Sequence, residues 1–293
     1  MKRIGFVTPW YGDAIPGGAE MEVRGLVKHL IAAGIDCEIL TTCVERFLSD
    51  WSKDYHKPGV TIEGGVPVRR FRVRKRDTAA FDEVNAKLMR GQKLTGSEEG
   101  IYTREMINSP KLYEYMRLHQ ADYSLFVFIP YMFGTTYYGC QVCPEKSVLI
   151  PCLHDEIYAY MDSFKQVFSK VQGMILNAEP ERELAERLYG GYGNHFRTIG
   201  IGLDTEFSTN AQRFRDKYRI DTPFILYAGR KEAGKRVDTL AKYFACYKER
   251  HPSDLKLVLI GGGEIALPSE EILDLGFVSV QDKYDAYAAA SVF

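Results

Sequence analysis

With 293 residues, 45% of them apolar, the chain has the length for one large core or two medium ones, at about 100 to 200 residues per domain. Its 38 basic and 39 acidic side chains nearly cancel, which excludes a global field for nucleic acid and leaves only local charged patches. The opening MKRIGFVTPW has too short an apolar run before Pro9 for a signal peptide or a membrane span, so a cytoplasmic protein is expected, with its six cysteines as thiols and no disulfide framework.

The first forty residues alternate in type. Arg3 to Thr8 reads as an apolar strand, Pro9 to Gly18 as a turn-rich loop, Ala19 to Ala33 as a helix and Ile35 to Thr41 as a second strand. That is one βαβ unit, which demands a parallel sheet. Within the helix Met21, Val23, Leu26, Val27, Leu30 and Ile31 hold helical spacing, and Gly34 supplies the left-handed stop. Thr78 to Gln120 is more polar and reads as a helical insertion, about 78–120, including helices over Phe81 to Arg90 and Pro110 to His119. Further short strands over Leu125 to Ile129, Ser147 to Pro151, Gly173 to Leu176 and Phe196 to Ile199, with a helix at Pro180 to Tyr189, keep the doubly wound α/β pattern.

A second cycle opens with the strand Phe224 to Ala228. A Gly/Lys/Arg loop, a helix over Val237 to Glu249, a strand over Leu255 to Ile260 and the triple glycine Gly261 to Gly263 follow. Ile272 to Gly276 and a helix from Asp282 to Ala289 come next, and Ser291 to Phe293 look like the start of a strand. Two Rossmann-like domains are expected, 1–203 and 204–293, hinged at Gly200 to Phe207, the second of them incomplete.

Several segments could carry chemistry. Gly17 and Gly18 lie between the first strand and its helix, where backbone N–H groups and the helix dipole favour an anion, although a glycine pair also makes a plain tight turn. No Gly-Lys-Ser/Thr follows, so this is not a Walker loop. In the second domain Gly229 to Arg236 crowds four cations, Arg230, Lys231, Lys235 and Arg236, between a strand and a helix. Such charges can be merely solvated, but a guanidinium and an ammonium at this place suit a diphosphate. His154 follows a strand and is expected to face the crevice of a doubly wound sheet; the other reading is a buried histidine bonded to a backbone carbonyl. Asp155 and Glu156 either orient a ligand or cap a helix.

Cys140, Cys143, Cys152 and His154 form a nominal Cys3His set. A strand intervenes between Cys143 and Cys152, which argues against a zinc site, and no metal is expected. The run Arg69 to Arg76 offers a cationic face to an anionic lipid or the inner membrane leaflet, or else guards an edge strand, the reading favoured here. Tyr131, Phe133, Tyr137 and Tyr138 could stack on a sugar or pack the core.

The succession GGAE, LHDE, GRKEAGKR, GGGE and LGFVSVQDKYDAYAAASVF resembles the glycosyltransferase family 4 enzymes of GT-B fold, along the whole chain and most strongly from Tyr227 onward. The resemblance implies a retaining transferase that moves a sugar from a UDP-sugar or GDP-sugar to a polysaccharide, glycolipid or other glycan acceptor, without a metal. It implies that Arg230 and Lys235 hold the donor diphosphate, with Gly17 and Gly18 also facing phosphate. Gly262, Gly263, Phe277 and Val278 would line the nucleoside pocket, and His154 would contact the transferred sugar as the catalytic residue. The family's Glu-x7-Glu segment is expected beyond Phe293, so the chain is expected to be a fragment or an inactive remnant. A GT-B-like module that binds or assembles without catalysing is the alternative. Oligomeric state is not readable.

Overall fold

The computed structural model describes residues 2–293 except Ala14, 191–194, Glu206 and Glu232. The chain divides into two compact units, Met1–Leu203 and Asp204–Phe293.

The larger unit opens with β1 (Arg3–Thr8), α1 (Gly18–Ala32) and β2 (Cys37–Thr42). On α1, Val23 and Val27 are buried and Leu26, Leu30 and Ile31 partly so, packed on one face of the sheet. Each full burial of such a side chain contributes about 1.5–3 kcal/mol. The helix ends where Gly34, at φ 80°, turns the chain back so that its own N–H and that of Ile35 donate to the carbonyls of Ile31 and Leu30, both at 2.9 Å.

A hairpin of β3 (Gly59–Glu63) and β4 (Val66–Phe71) follows. It turns on Gly64 and Gly65, whose φ values of 55° and 83° match the two-residue turn that suits strand twist. The polar segment then folds as α2 (Thr78–Met89), α3 (Gly96–Glu105) and α4 (Pro110–His119) before β5 (Tyr123–Phe128). After it come α5 (Gly134–Gly139), β6 (Ser147–Leu149), α6 (Asp162–Phe168), β7 (Gly173–Leu176), α7 (Glu179–Tyr189) and β8 (His195–Thr198). The sheet order is β3-β4-β2-β1-β5-β6-β7-β8, parallel throughout except for the hairpin pair. Strand order reverses between β1 and β5, so the loops leaving these two strands open the crevice where doubly wound sheets take ligands.

The basic run departs from expectation. β4 covers only its first residues and lies inside the sheet between β2 and β3, so β3 is the edge. Arg69 pairs with Glu38, Arg70 with Glu63, Arg72 with Asp54 and Arg74 with Glu105. The cations therefore tie strands and loops of their own unit together instead of guarding an edge. Tyr131 and Phe133 are buried in the main core, against which Tyr137 packs. Among the described residues no helix is long and apolar enough to cross a membrane.

The smaller unit contains α8 (Ala211–Tyr218), β9 (Phe224–Ala228), α9 (Val237–Arg250), β10 (Lys256–Ile260), β11 (Ile272–Asp274) and α10 (Val280–Ala289). Its parallel sheet runs β11-β10-β9, and Val292 bridges Ile225 at the free side of β9. Asp285 on α10 is fully buried and accepts from Arg213 Nη2 and from the Asn210 N–H, both at 2.8 Å. The hydrogen-bonded guanidinium of Arg213, with these further donors, holds the Asp285 carboxyl down at about 2. A carboxyl whose folded pKa lies below its unfolded value, about 3.9, contributes stability that is complete above that value and lost as pH falls toward the folded one. Thermal melts are expected to show an acid loss between about pH 4 and 2 that Asp285→Asn flattens. Equal pH slopes in the two proteins would count against this role.

Candidate functional site

In the larger unit the chain leaving β1 is pinned at several points. Thr42 Oγ1 donates to the Pro9 carbonyl at 2.6 Å and Arg70 Nη2 to that of Tyr11 at 2.8 Å. Arg24, nearly two turns into α1, donates to the carbonyls of Gly12 at 3.0 Å and Ile15 at 2.9 Å. The loop is thereby held against the switch point, and Ala14 within it lies outside the described residues.

Gly17 is the N-cap of α1, at φ 148°. A Cβ there would sit 1.9 Å from a carboxylate oxygen of Glu20, because Glu20 folds back to accept the Trp10 indole N–H at 2.7 Å. A Cβ at Gly18 would meet nothing within 4 Å. The two glycines thus differ: the space beside Gly17 is filled by Glu20, and the open approach is at Gly18. No side chain caps this helix N-terminus, so its first N–H groups and the positive end of the dipole face that opening.

His154 lies in the loop after β6 and is exposed, so the reading as a buried, backbone-bonded histidine fails. Its backbone is firmly held. The N–H of Leu153 donates to Glu181 Oε1 at 2.6 Å, and the N–H of Glu156 donates to the His154 carbonyl at 2.9 Å. The other oxygen of Glu181 accepts the Asn177 N–H at 2.6 Å, so one carboxylate ties the loops after β6 and β7. Beside it Glu22 of α1 accepts from Asn177 Nδ2 at 3.0 Å and from the Cys152 thiol at 3.7 Å. Burial pushes the Glu22 carboxyl above its ordinary range. Glu22 and Glu181 escaped sequence reading; the only signal was an acidic residue on the sheet-facing side of each helix.

The nominal zinc set does not converge. Cys143 donates to Gln120 Oε1 at 3.0 Å, Cys140 to the Tyr137 carbonyl at 3.6 Å and Cys152 to Glu22. Among the described residues no three His, Cys, Asp or Glu side chains are grouped to hold a metal.

In the smaller unit the cationic loop after β9 divides by role. Lys231 has a wholly buried side chain that ion-pairs with Asp274 at 3.0 Å and donates to the Gly261 carbonyl. Its N–H donates to the Gly262 carbonyl at 2.7 Å. It is an internal tie between the loop and β10 and β11, not a ligand cation. Arg230, Lys235 and Arg236 are exposed, and among the described residues the Lys235 ammonium makes no hydrogen bond or ion pair. Glu232 lies outside the described residues. The Gly261–Gly263 turn is thus drawn against the cationic loop. Phe277 is 72% exposed, with ring carbon 3.7 Å from a Cβ placed on Gly262, whereas Val278 packs onto the unit's core. Gly17, Gly18 and His154 belong to one unit, and Arg230, Lys235, Gly262, Gly263, Phe277 and Val278 to the other.

No family model and no curated protein matches the chain by sequence. Solved structures do match. The Anabaena protein HepE in complex with UDP and glucose is 14% identical with a TM-score of 0.60, over 99% of this chain and 72% of that one. Trehalose-6-phosphate synthase OtsA is 11% identical with a TM-score of 0.70, over 98% of this chain and 77% of that one. WaaG, a glycosyltransferase involved in lipopolysaccharide biosynthesis, is 13% identical with a TM-score of 0.55, over 98% and 73%. What these likenesses establish is the fold: an α/β chain of the GT-B type, with mostly parallel, doubly wound sheets.

Proposed function

We propose that the chain belongs to a nucleotide-sugar-dependent glycosyltransferase of family 4 type, retaining in mechanism, which transfers a sugar from a UDP-sugar or GDP-sugar to a glycan or lipid-linked acceptor in the cytoplasm. The observation that carries the reading is the loop after β9. It joins the carboxyl end of a parallel strand to a helix, is braced from inside by Lys231 and presents Lys235 with no partner among the described residues. HepE, which shares the fold, is solved in complex with UDP and glucose, which favours a uridine donor over a guanosine one.

In this reading Arg230 and Lys235 take the diphosphate, and Gly262, Gly263 and Phe277 meet the nucleoside with Val278 behind them. On the larger unit, taken by itself, the first turn of α1 at Gly17 and Gly18 offers N–H groups to an anion, and His154 is the residue that would meet a sugar. As the bond from sugar to diphosphate breaks, negative charge grows on the leaving oxygen, and fixed cations stabilise that charge more than they stabilise the ground state. The acceptor hydroxyl attacks on the same face and its proton passes to the leaving diphosphate.

Titration calorimetry of the chain with UDP and GDP tests the donor assignment. Lys235→Ala is expected to weaken binding by about 1.5–3 kcal/mol, the worth of a charged hydrogen bond, which is roughly ten- to a hundredfold. An unchanged isotherm would remove Lys235 from the site. Binding without turnover of any nucleotide sugar would favour the non-catalytic module instead.

A further inference from the structure

Both tryptophans of the chain, Trp10 and Trp51, meet at the carboxyl ends of the larger unit's strands. Their rings stack with centroids 6.3 Å apart. Phe47 and Phe133 lie edge-on against Trp10 at 5.8 and 5.0 Å. Trp51 is only partly buried and Phe47 is 46% exposed, so the cluster has an open aromatic side.

Arg76, in the loop after β4, enters this cluster. Its guanidinium lies 4.9 Å from the Trp51 ring centroid and 4.4 Å from that of Phe81. Unlike Arg69, Arg70, Arg72 and Arg74, it makes no hydrogen bond or ion pair among the described residues, and its Nε and Nη2 are sealed from solvent without a partner. Arg70 and Arg74 also leave a buried Nε unbonded, but each spends another nitrogen on a carboxylate. Of the three carboxylates around Arg76, Asp50 and Glu105 are committed elsewhere, while Asp82 attracts the guanidinium from the surface without bonding to it. Asp50 accepts the Ser52 N–H at 2.9 Å and faces Lys53 at 3.4 Å. Glu105 serves Arg74, Arg104 and the Asp77 N–H, and Asp82 is exposed. Burial accordingly pushes the Arg76 guanidinium below its ordinary range.

Arg76 is half-buried, with two nitrogens sealed and unbonded and aromatic faces beside them, and such contacts return less to a cation than full desolvation costs it. An anion reaching the guanidinium from its open side, at Nη1, would supply the missing charge. Aromatic faces beside it suit the apolar C–H face of a pyranose. We propose that Arg76 and Trp51 form a subsite for an anionic saccharide, the guanidinium taking a phosphate or carboxylate group while the sugar ring lies against Trp51 and Phe47. The subsite needs the larger unit alone and stands whether or not the chain turns over a nucleotide sugar.

Because both tryptophans sit in the cluster, intrinsic emission reports on it directly. The emission is expected to change saturably with glucose 6-phosphate or glucuronate, and at least tenfold more weakly with glucose or inorganic phosphate. The tighter of the two acidic sugars identifies the charged group. Arg76→Met is expected to lose at least tenfold in affinity with an unchanged or raised melting temperature, since a half-buried charge with no ion pair is removed, and Arg76→Lys to keep part of the binding. Equal response to charged and neutral sugars in the unsubstituted chain would overturn the proposal, whatever the variants do. Binding within twofold of the parent in Arg76→Met would do the same, and a lowered melting temperature would assign Arg76 to packing.

Discussion

Glu38→Ala is expected to destabilise the larger unit by about 3–5 kcal/mol, the usual cost of removing one partner from a buried ionic group. The Glu38 carboxylate is fully buried on β2. It accepts from Arg3 Nη1 of β1 at 3.0 Å, Arg69 Nε of β4 at 2.8 Å and the Tyr123 hydroxyl of β5 at 2.6 Å. Those strands are four neighbours in the sheet, β4-β2-β1-β5, so one side chain joins them all. Without it two guanidiniums lose their shared anion and a buried phenol loses its acceptor. Glu38→Gln keeps part of the hydrogen bonding and is expected to fall between the parent and the alanine variant. Urea unfolding provides the check through the midpoint at constant slope; a loss under about 1 kcal/mol, the scale of a surface pair, would show that the network is dispensable.

That network also marks where reading the sequence stops. Local patterns were legible: the spacing of Val23, Leu26, Val27, Leu30 and Ile31 specifies one helix face, and Gly34 its end, because both signals lie within a few residues. Glu38 meets Tyr123 across 85 positions, and a single glutamate in an apolar strand carries no local sign of its partner. Glu22 and Glu181 were hidden for the same reason. The hairpin was legible in principle, since Gly64-Gly65 between short β-rich runs is a turn signal, but the arginines after it drew attention as a charge run. Their pairing in space, not their number, decides what they do. In the loop after β9, Lys231 and Lys235 look alike in sequence. Only the fold separates them, burying one against Asp274 and leaving the other exposed. His154 lies in the loop after β6, as its place behind a short apolar run predicts.

The three consecutive glycines after β10 are expected to respond very differently to the same methyl group. Gly261 has φ 125°, a region L side chains rarely enter, and a Cβ there would lie 2.1 Å from the carbonyl oxygen of Gly229. The clash is with backbone, so no rotamer relieves it. Gly229 in turn donates to the Ile260 carbonyl at 2.9 Å, and Lys231 to that of Gly262 at 2.7 Å, so displacing the Gly229 carbonyl opens the contact that braces the cationic loop. Gly261→Ala should therefore cost about 3 kcal/mol or more, from backbone strain together with overpacking, and weaken UDP binding at least tenfold if Arg230 and Lys235 hold the diphosphate. Gly263→Ala should behave alike, with φ 96° and a Cβ 2.5 Å from the Lys231 carbonyl oxygen. At Gly262 the nearest atom is a Phe277 ring carbon at 3.7 Å, an ordinary contact, so Gly262→Ala should stay within about 0.5 kcal/mol of the parent. Melting curves and UDP isotherms for the three variants decide the matter. If Gly262→Ala proves the damaging substitution and Gly261→Ala the silent one, the close approach of the glycine turn to the cationic loop is not what shapes this site.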